Sequence, residues 1–200
     1  MNARLVPLLA ALLLVAACGG GGLPAGSETP APSDQQQVDP DFVALAERSL
    51  NLPFASSDNC PVTSAELLSP TEPMTLGEGP IYATGLGSSS TLRISPDPGD
   101  SQYQLGTVTW LAMPDFSGKV LVRGERIDQS GAIAFHYPAG ISEGPGTSSL
   151  KLNTMDVATA GYWSSWYADV LVTSPGCYAF QVDTQDLSDV IVFLAEPQIQ

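Results

Sequence analysis

Thr107-Val108-Thr109-Trp110-Leu111-Ala112 decides the fold class, because an extended backbone puts Val108, Trp110 and Ala112 on one face and the two threonines with Leu111 on the other. That period of two belongs to a strand. The same alternation returns in Trp166, Ala168, Val170 and Val172, and again in Tyr178, Phe180 and Val182. Residues 190–194 are apolar at every position and predict a strand covered on both faces. Turn signals separate these runs: Pro96-Asp97-Pro98-Gly99-Asp100, Pro114-Asp115-Phe116-Ser117-Gly118, Pro138-Ala139-Gly140, Gly144-Pro145-Gly146 and Ser174-Pro175-Gly176. Short strands punctuated so often predict an all-β fold of two antiparallel sheets packed face to face. After Leu50 no stretch of helical length carries an apolar stripe, which argues against a parallel α/β architecture.

Upstream of this body the chain changes character three times. Residues 1–17 join Arg4 to an apolar run over 5–17 that is too short to span a bilayer, and read as a targeting segment. Cys18 follows Ala16 and Ala17 and precedes the glycines at 19–22, an arrangement that resembles a bacterial lipoprotein signal. The resemblance implies removal of 1–17 and acylation of Cys18; the alternative is an ordinary secretory signal that leaves Cys18 as a thiol. Each buried methylene adds about 0.8 kcal/mol, so two or three acyl chains would hold the protein to a membrane. Residues 18–38 are Gly, Pro, Ser, Ala and Gln with few apolar side chains, and read as a flexible tether spanning roughly 25 Å. Asp39-Pro40-Asp41 reads as a helix start, and Phe42, Leu45, Ala46 and Ser49 predict a short helix to about Leu50, so 39–58 is a helix and linker. Residues 59–197 remain as one sandwich domain, long enough to bury a core.

Only Cys60 and Cys177 are left once Cys18 carries lipid. In an oxidising compartment two such thiols pair. Closing a loop on the order of 100 residues contributes about 4.7 kcal/mol in the chain-entropy picture. Two buried free thiols are the alternative. With His136 as the one histidine, the spacing of a zinc site is absent, and no cofactor is expected. Net charge is −14, from 21 acidic and 7 basic side chains. This argues against nucleic acid and anionic headgroups as partners, since both would repel the protein. Three of the few basic residues, Lys119, Arg123 and Arg126, fall together.

Asn59-Cys60-Pro61-Val62-Thr63, the central Gly118-Lys119-Val120-Leu121-Val122-Arg123-Gly124-Glu125-Arg126-Ile127-Asp128 and Pro175-Gly176-Cys177-Tyr178 occur in the order and spacing of a known group. Through them the chain resembles a family of small secreted bacterial proteins and lipoproteins whose function is uncharacterised. The resemblance implies an immunoglobulin-like antiparallel β-sandwich with the two cysteines paired, and it brings no catalytic residues. This sequence departs from the pattern in carrying Tyr178 where a Trp is common.

Gly140-Ile141-Ser142-Glu143-Gly144 matches G-x-S-x-G, but the chemistry needs a helix after the serine and a distant histidine. Pro145-Gly146 follows instead, and His136 precedes Ser142 by a turn's width. His136 reads more simply as an exposed strand position opposite Phe135. Asp183, Asp186 and Asp189 lack the spacing of a calcium loop, so no metal is assigned, and 183–186 reads as a hairpin turn with solvated carboxylates. The aromatic group offers the best binding surface: Trp163 and Tyr167 share a strand face with Ser165 and Asp169, whereas Trp166 continues the core stripe. Two readings follow. One is a lipid-anchored, non-catalytic structural or protein-interaction module of the cell envelope; the other is a carbohydrate-binding module that uses Trp163 and Tyr167. A hydrolase is a distant third.

Overall fold

The computed structural model describes residues 39–56, 58–68, 70, 73–140, 146–156 and 162–199. Two units divide the chain, Met1–Gln37 and Val38–Gln200, and every described residue lies in the second. The lipidation candidate Cys18 and its tether therefore fall outside the described residues, as does Ser142.

One α-helix, α1 (Pro40–Ala46), precedes ten strands: β1 (Thr75–Leu76), β2 (Ile81–Thr84), β3 (Thr91–Pro96), β4 (Gln104–Ala112), β5 (Lys119–Arg126), β6 (Ile133–His136), β7 (Ser149–Asn153), β8 (Ser164–Val172), β9 (Gly176–Asp183) and β10 (Ser188–Pro197). The first layer runs β1-β2-β4-β8-β6. The second runs β3-β10-β9-β5-β7. Strand β3 serves both, pairing residues 91–94 with β10 and residues 95–96 with the start of β4. The ten strands are thus one hydrogen-bonded set folded over into an all-β sandwich. Its sheets are not purely antiparallel as the sequence reading expected, because β3 lies parallel to β10 where it crosses between layers. The pairs β4–β8 and β8–β6 in one layer, with β5–β9 and β9–β10 in the other, are those of an immunoglobulin-type sandwich.

Alternation put the predicted residues inward. Val108, Trp110 and Ala112, the Trp166 stripe, and Tyr178, Phe180 and Val182 all lie in the core between the layers. Phe180 sits at its centre, with Trp110 edge-on at 5.3 Å and Phe193 stacked at 4.4 Å. Burying rings of this size, together with the aliphatic residues around them, holds the layers together. Tyr178, at the start of β9, is fully buried and donates its hydroxyl to the Ser174 carbonyl at 2.7 Å, tying down the β8–β9 corner.

Strand β9 is buried on both faces. Its outward residues Cys177, Ala179, Gln181 and Asp183 would meet solvent in an open sandwich, but residues 39–56 and 58–63 cover them as a strap. Asp39 caps α1 by accepting from Asp41 N, and Pro40 fits the first turn. The Phe42 ring has the ammonium groups of Lys119 and Lys151 within 5.7 and 5.6 Å of its centre. The helix ends at Ala46, short of the expected Leu50. Arg123 of β5 donates to the carbonyls of Ala46 and Arg48, which fixes the chain in a non-helical course at that point. Further along, Asn51 N and the Ser49 carbonyl bind both ends of the Gln181 amide, and Ala55 N donates to Ile127 O. The Cys60–Cys177 disulfide then fastens the strap to β9, with Cα atoms 5.5 Å apart at a sequence separation of 117. Thr63 completes the crossing by exchanging two 2.9 Å hydrogen bonds with Val192 of β10.

Candidate functional site

The strap, the β4–β5 loop (113–118) and the β9–β10 turn (184–187) meet at one end of the sandwich. In immunoglobulin variable domains the equivalent B–C and F–G loops form the recognition end. Here they enclose a cleft of about 430 Å³, with Leu45, Phe116 and Met155 as its apolar walls and Arg48, Lys119 and Asp186 among its polar ones. That volume lies in the range of ligand-sized clefts, ~300–1,000 Å³.

Short local bonds hold each wall. Gly118 N donates to Thr154 Oγ1 at 2.8 Å, and Thr154 N donates back to Gly118 O, which joins the β4–β5 loop to the turn after β7. Thr184 and Leu187 close the β9–β10 turn reciprocally, with Leu187 N on the Thr184 hydroxyl. Arg48 donates to the Gln185 and Leu187 carbonyls at 2.6 and 3.1 Å, and this joins the strap to the turn.

Both cations of the cleft are engaged within the protein. Lys119 Nζ is 2.6 Å from Asp39 Oδ1 and 2.7 Å from Asp41 Oδ2. The hydrogen bond from Lys119 holds the Asp39 carboxyl below the usual aspartate range, and the same pairing, with Asp41 second, raises the Lys119 ammonium. Beneath them Arg123 meets Asp183 at 2.7 Å, and Gln181 and Ser188 also donate to that carboxylate. Asp183 is fully buried, which corrects the expectation of a solvated carboxylate: the turn forms where predicted, but the strap covers its first residue. Asp186, at the tip, is exposed.

On the opposite layer, Tyr167 stands 59% exposed on the outer face of β8, opposite Thr109 of β4. Trp163 immediately precedes β8 and is half-buried, its ring 6.0 Å from that of Tyr82. Only Tyr167 of the expected pair is broadly open. The outer face closes beyond it, where Asp169 is buried and accepts from Thr107 Oγ1 and Gly140 N at 2.7 and 2.6 Å. His136, cross-strand partner of Asp169, is 8% exposed, so its reading as a surface position is corrected. The chain after β6 folds back across the sheet, with Ala139 N on Tyr167 O.

The three sequence motifs converge on the disulfide and serve structure there. Asp128 pairs with Arg126 and accepts from Cys177 N, while Ile127 N donates to Cys177 O. The bond from Arg126 holds the Asp128 carboxyl below its ordinary range. Sequence reasoning missed the strap and its Arg48–Asp183–Arg123 cluster. The available signal was β9 itself, in which Cys177, Ala179 and Gln181 alternate with core residues and so need a cover of their own. Among the described residues no three His, Cys, Asp or Glu side chains gather as a metal site, and no helix is long and apolar enough to cross a membrane.

No family model matches the chain, and no curated protein matches it. A solved X-ray structure, named a "Putative Lipoprotein from Bacillus anthracis", is similar at 15% identity and a TM-score of 0.44, covering 74% of this chain and 98% of that one.

Proposed function

We propose that this protein is a lipid-anchored head of the bacterial cell envelope that works by contact rather than turnover. The Cys60–Cys177 disulfide is the observation that carries the reading, because such bonds persist in oxidising compartments outside the cytoplasm. Cys18 supplies the anchor in this reading, and 18–38 the tether to a membrane. The partner in this reading is an envelope protein, and a net charge of −14 argues against nucleic acid. Exposure of Tyr167 keeps a second reading in view, a polysaccharide stacked on the outer face of β8.

Fractionation of the producing cell tests the anchor. Wild-type protein is expected with the membranes, and globomycin or Cys18→Ser is expected to release it. Unchanged membrane retention, or a mature amino terminus without acyl mass, overturns the anchor.

A further inference from the structure

We propose that the strap is a reserve length of tether: under a pull from the amino-terminal side, residues 39–59 peel off the sandwich in sequence and the Cys60–Cys177 disulfide stops them. This rests on the anchored reading above, in which the pull comes from the membrane, and adds a conformational device to it.

The attachments of the strap change in kind along the chain. Up to residue 51 they run through side chains: Lys119 on Asp39 and Asp41, Arg123 on the Ala46 and Arg48 carbonyls, Arg48 on the β9–β10 turn, and Gln181 on Ser49 and Asn51. Over 39–56, Ala55 N on Ile127 O is the one backbone bond to the sandwich between described residues. Cys60 is then held covalently. Beyond it the ties multiply, since Thr63 exchanges two hydrogen bonds with Val192 and accepts from Ser90 Oγ, and Glu66 exchanges two backbone bonds with Thr75. A pull entering at residue 39 meets the weak ties one after another and ends on the sulfur–sulfur bond. Paired strands such as β9 and β10 share a load along their length instead.

Peeling also leaves little that water cannot satisfy. Lys119, Arg123, Asp183 and Gln181 are polar groups that hydrate once the strap leaves, so the open state holds no stranded buried charge. Leu45 is the one buried residue of α1. Ala55 and Leu52 pack on Ile127, Ala179 and Val192, a cluster separate from the core between the layers. The sandwich therefore stays closed while residues 39–59 add roughly 70 Å of extended chain to the reach of the head.

The test pulls the oxidised, unacylated full chain in an optical trap, with one handle joined by maleimide to the Cys18 thiol and the other at the carboxyl terminus. A reversible first step of roughly 50–70 Å is expected below the force that unfolds the sandwich. Reductant is expected to lengthen that step, because the stop is gone. Leu45→Ala is expected to lower the force of the first step and leave that of the sandwich unchanged. Amide exchange gives a readout without force: Asn51 and Ala55, whose amides bond to the sandwich, are expected to exchange at least about tenfold faster than Thr63. A single event that opens strap and sandwich together overturns the proposal, as does a first step that reductant leaves the same length, or exchange of Asn51 and Ala55 at the rate of Thr63. Neither measurement needs lipid, so failure here leaves the anchor standing, and loss of the anchor leaves these outcomes unchanged.

Discussion

Asp183 of β9 and Arg123 of β5 meet at 2.7 Å beneath the strap, on the outer side of the second layer and not in the core between layers. Arg48 of the strap lies 3.9 Å from the same carboxylate. A charge this buried is stable only while its partners surround it, so the strap and the sandwich depend on one another.

Replacing Asp183 with Asn leaves Arg123 buried without its counter-charge. The expected loss is about 3–5 kcal/mol, read from urea midpoints. Asp186→Asn, at the exposed tip of the same turn, is expected to change stability by no more than about 0.5 kcal/mol. Equal effects of the two substitutions would remove the case for a strap that shields Asp183.

The disulfide closes a long loop and also fixes the strap to β9. Cys60→Ser with Cys177→Ser is expected to cost about 2–5 kcal/mol, and reductant is expected to reproduce the shift in the wild type. An identical melt with and without reductant argues that the bond does not form in the native protein.

The layers were legible in the sequence because burial there follows the pleat: Val108, Trp110 and Ala112 face inward for the same reason that they alternate. The strap was not, because its contacts carry no period. Arg123 binds two carbonyls, Gln181 one amide and one carbonyl, and such long-range pairings leave no local trace in the chain. For the same reason His136 and Asp183 were read as exposed. Each lies near a turn whose position was evident, but the segment that covers it comes from elsewhere or folds back after the turn. The disulfide pair was readable once Cys18 was assigned to lipid in an oxidising compartment, and the aromatic face from alternation, though not the packing of Trp163 on Tyr82.

Docking of α1 carries a pH dependence whose sign follows from Asp39 and Lys119. Asp39 is lowered by Lys119, so its contribution is complete above about pH 4 and is lost as pH falls through the lowered value. Lys119 is raised by Asp39 and Asp41, so its contribution is complete below about pH 10.4 and is lost only as pH rises through the raised value. The ring resonances of Phe42, seated beside Lys119, are expected to stay constant between these limits and to move toward solvent-exposed values at both extremes. Lys119→Gln is expected to weaken docking slightly and to flatten both transitions, with the helix still held by Leu45 and Arg123. A transition near neutral pH would contradict the assignment.

Gly124 in the central motif has a packing reason. A Cβ there would lie 2.6 Å from the Ala179 carbonyl and 2.8 Å from Ile133 Cδ1. Backbone on one side and a buried side chain on the other leave little room to yield, so Gly124→Ala is expected to cost about 1–3 kcal/mol by thermal melt. A neutral effect would return the motif to candidates for function.

The outer aromatic face separates structure from binding through two substitutions with opposite expectations. Trp163 packs against Tyr82, itself buried, so Trp163→Ala removes half-buried ring surface and is expected to cost about 1–2 kcal/mol. Tyr167 is open to solvent, so Tyr167→Ala is expected to leave the melt unchanged within about 0.5 kcal/mol. If a polysaccharide stacks on this face, its retardation of the protein in affinity electrophoresis must fall for Tyr167→Ala, because that ring is the accessible one. Retardation that survives Tyr167→Ala while the fold is intact places any sugar site elsewhere, and stability lost at Tyr167 instead of Trp163 shows that the exposure of the two rings has been assigned the wrong way round.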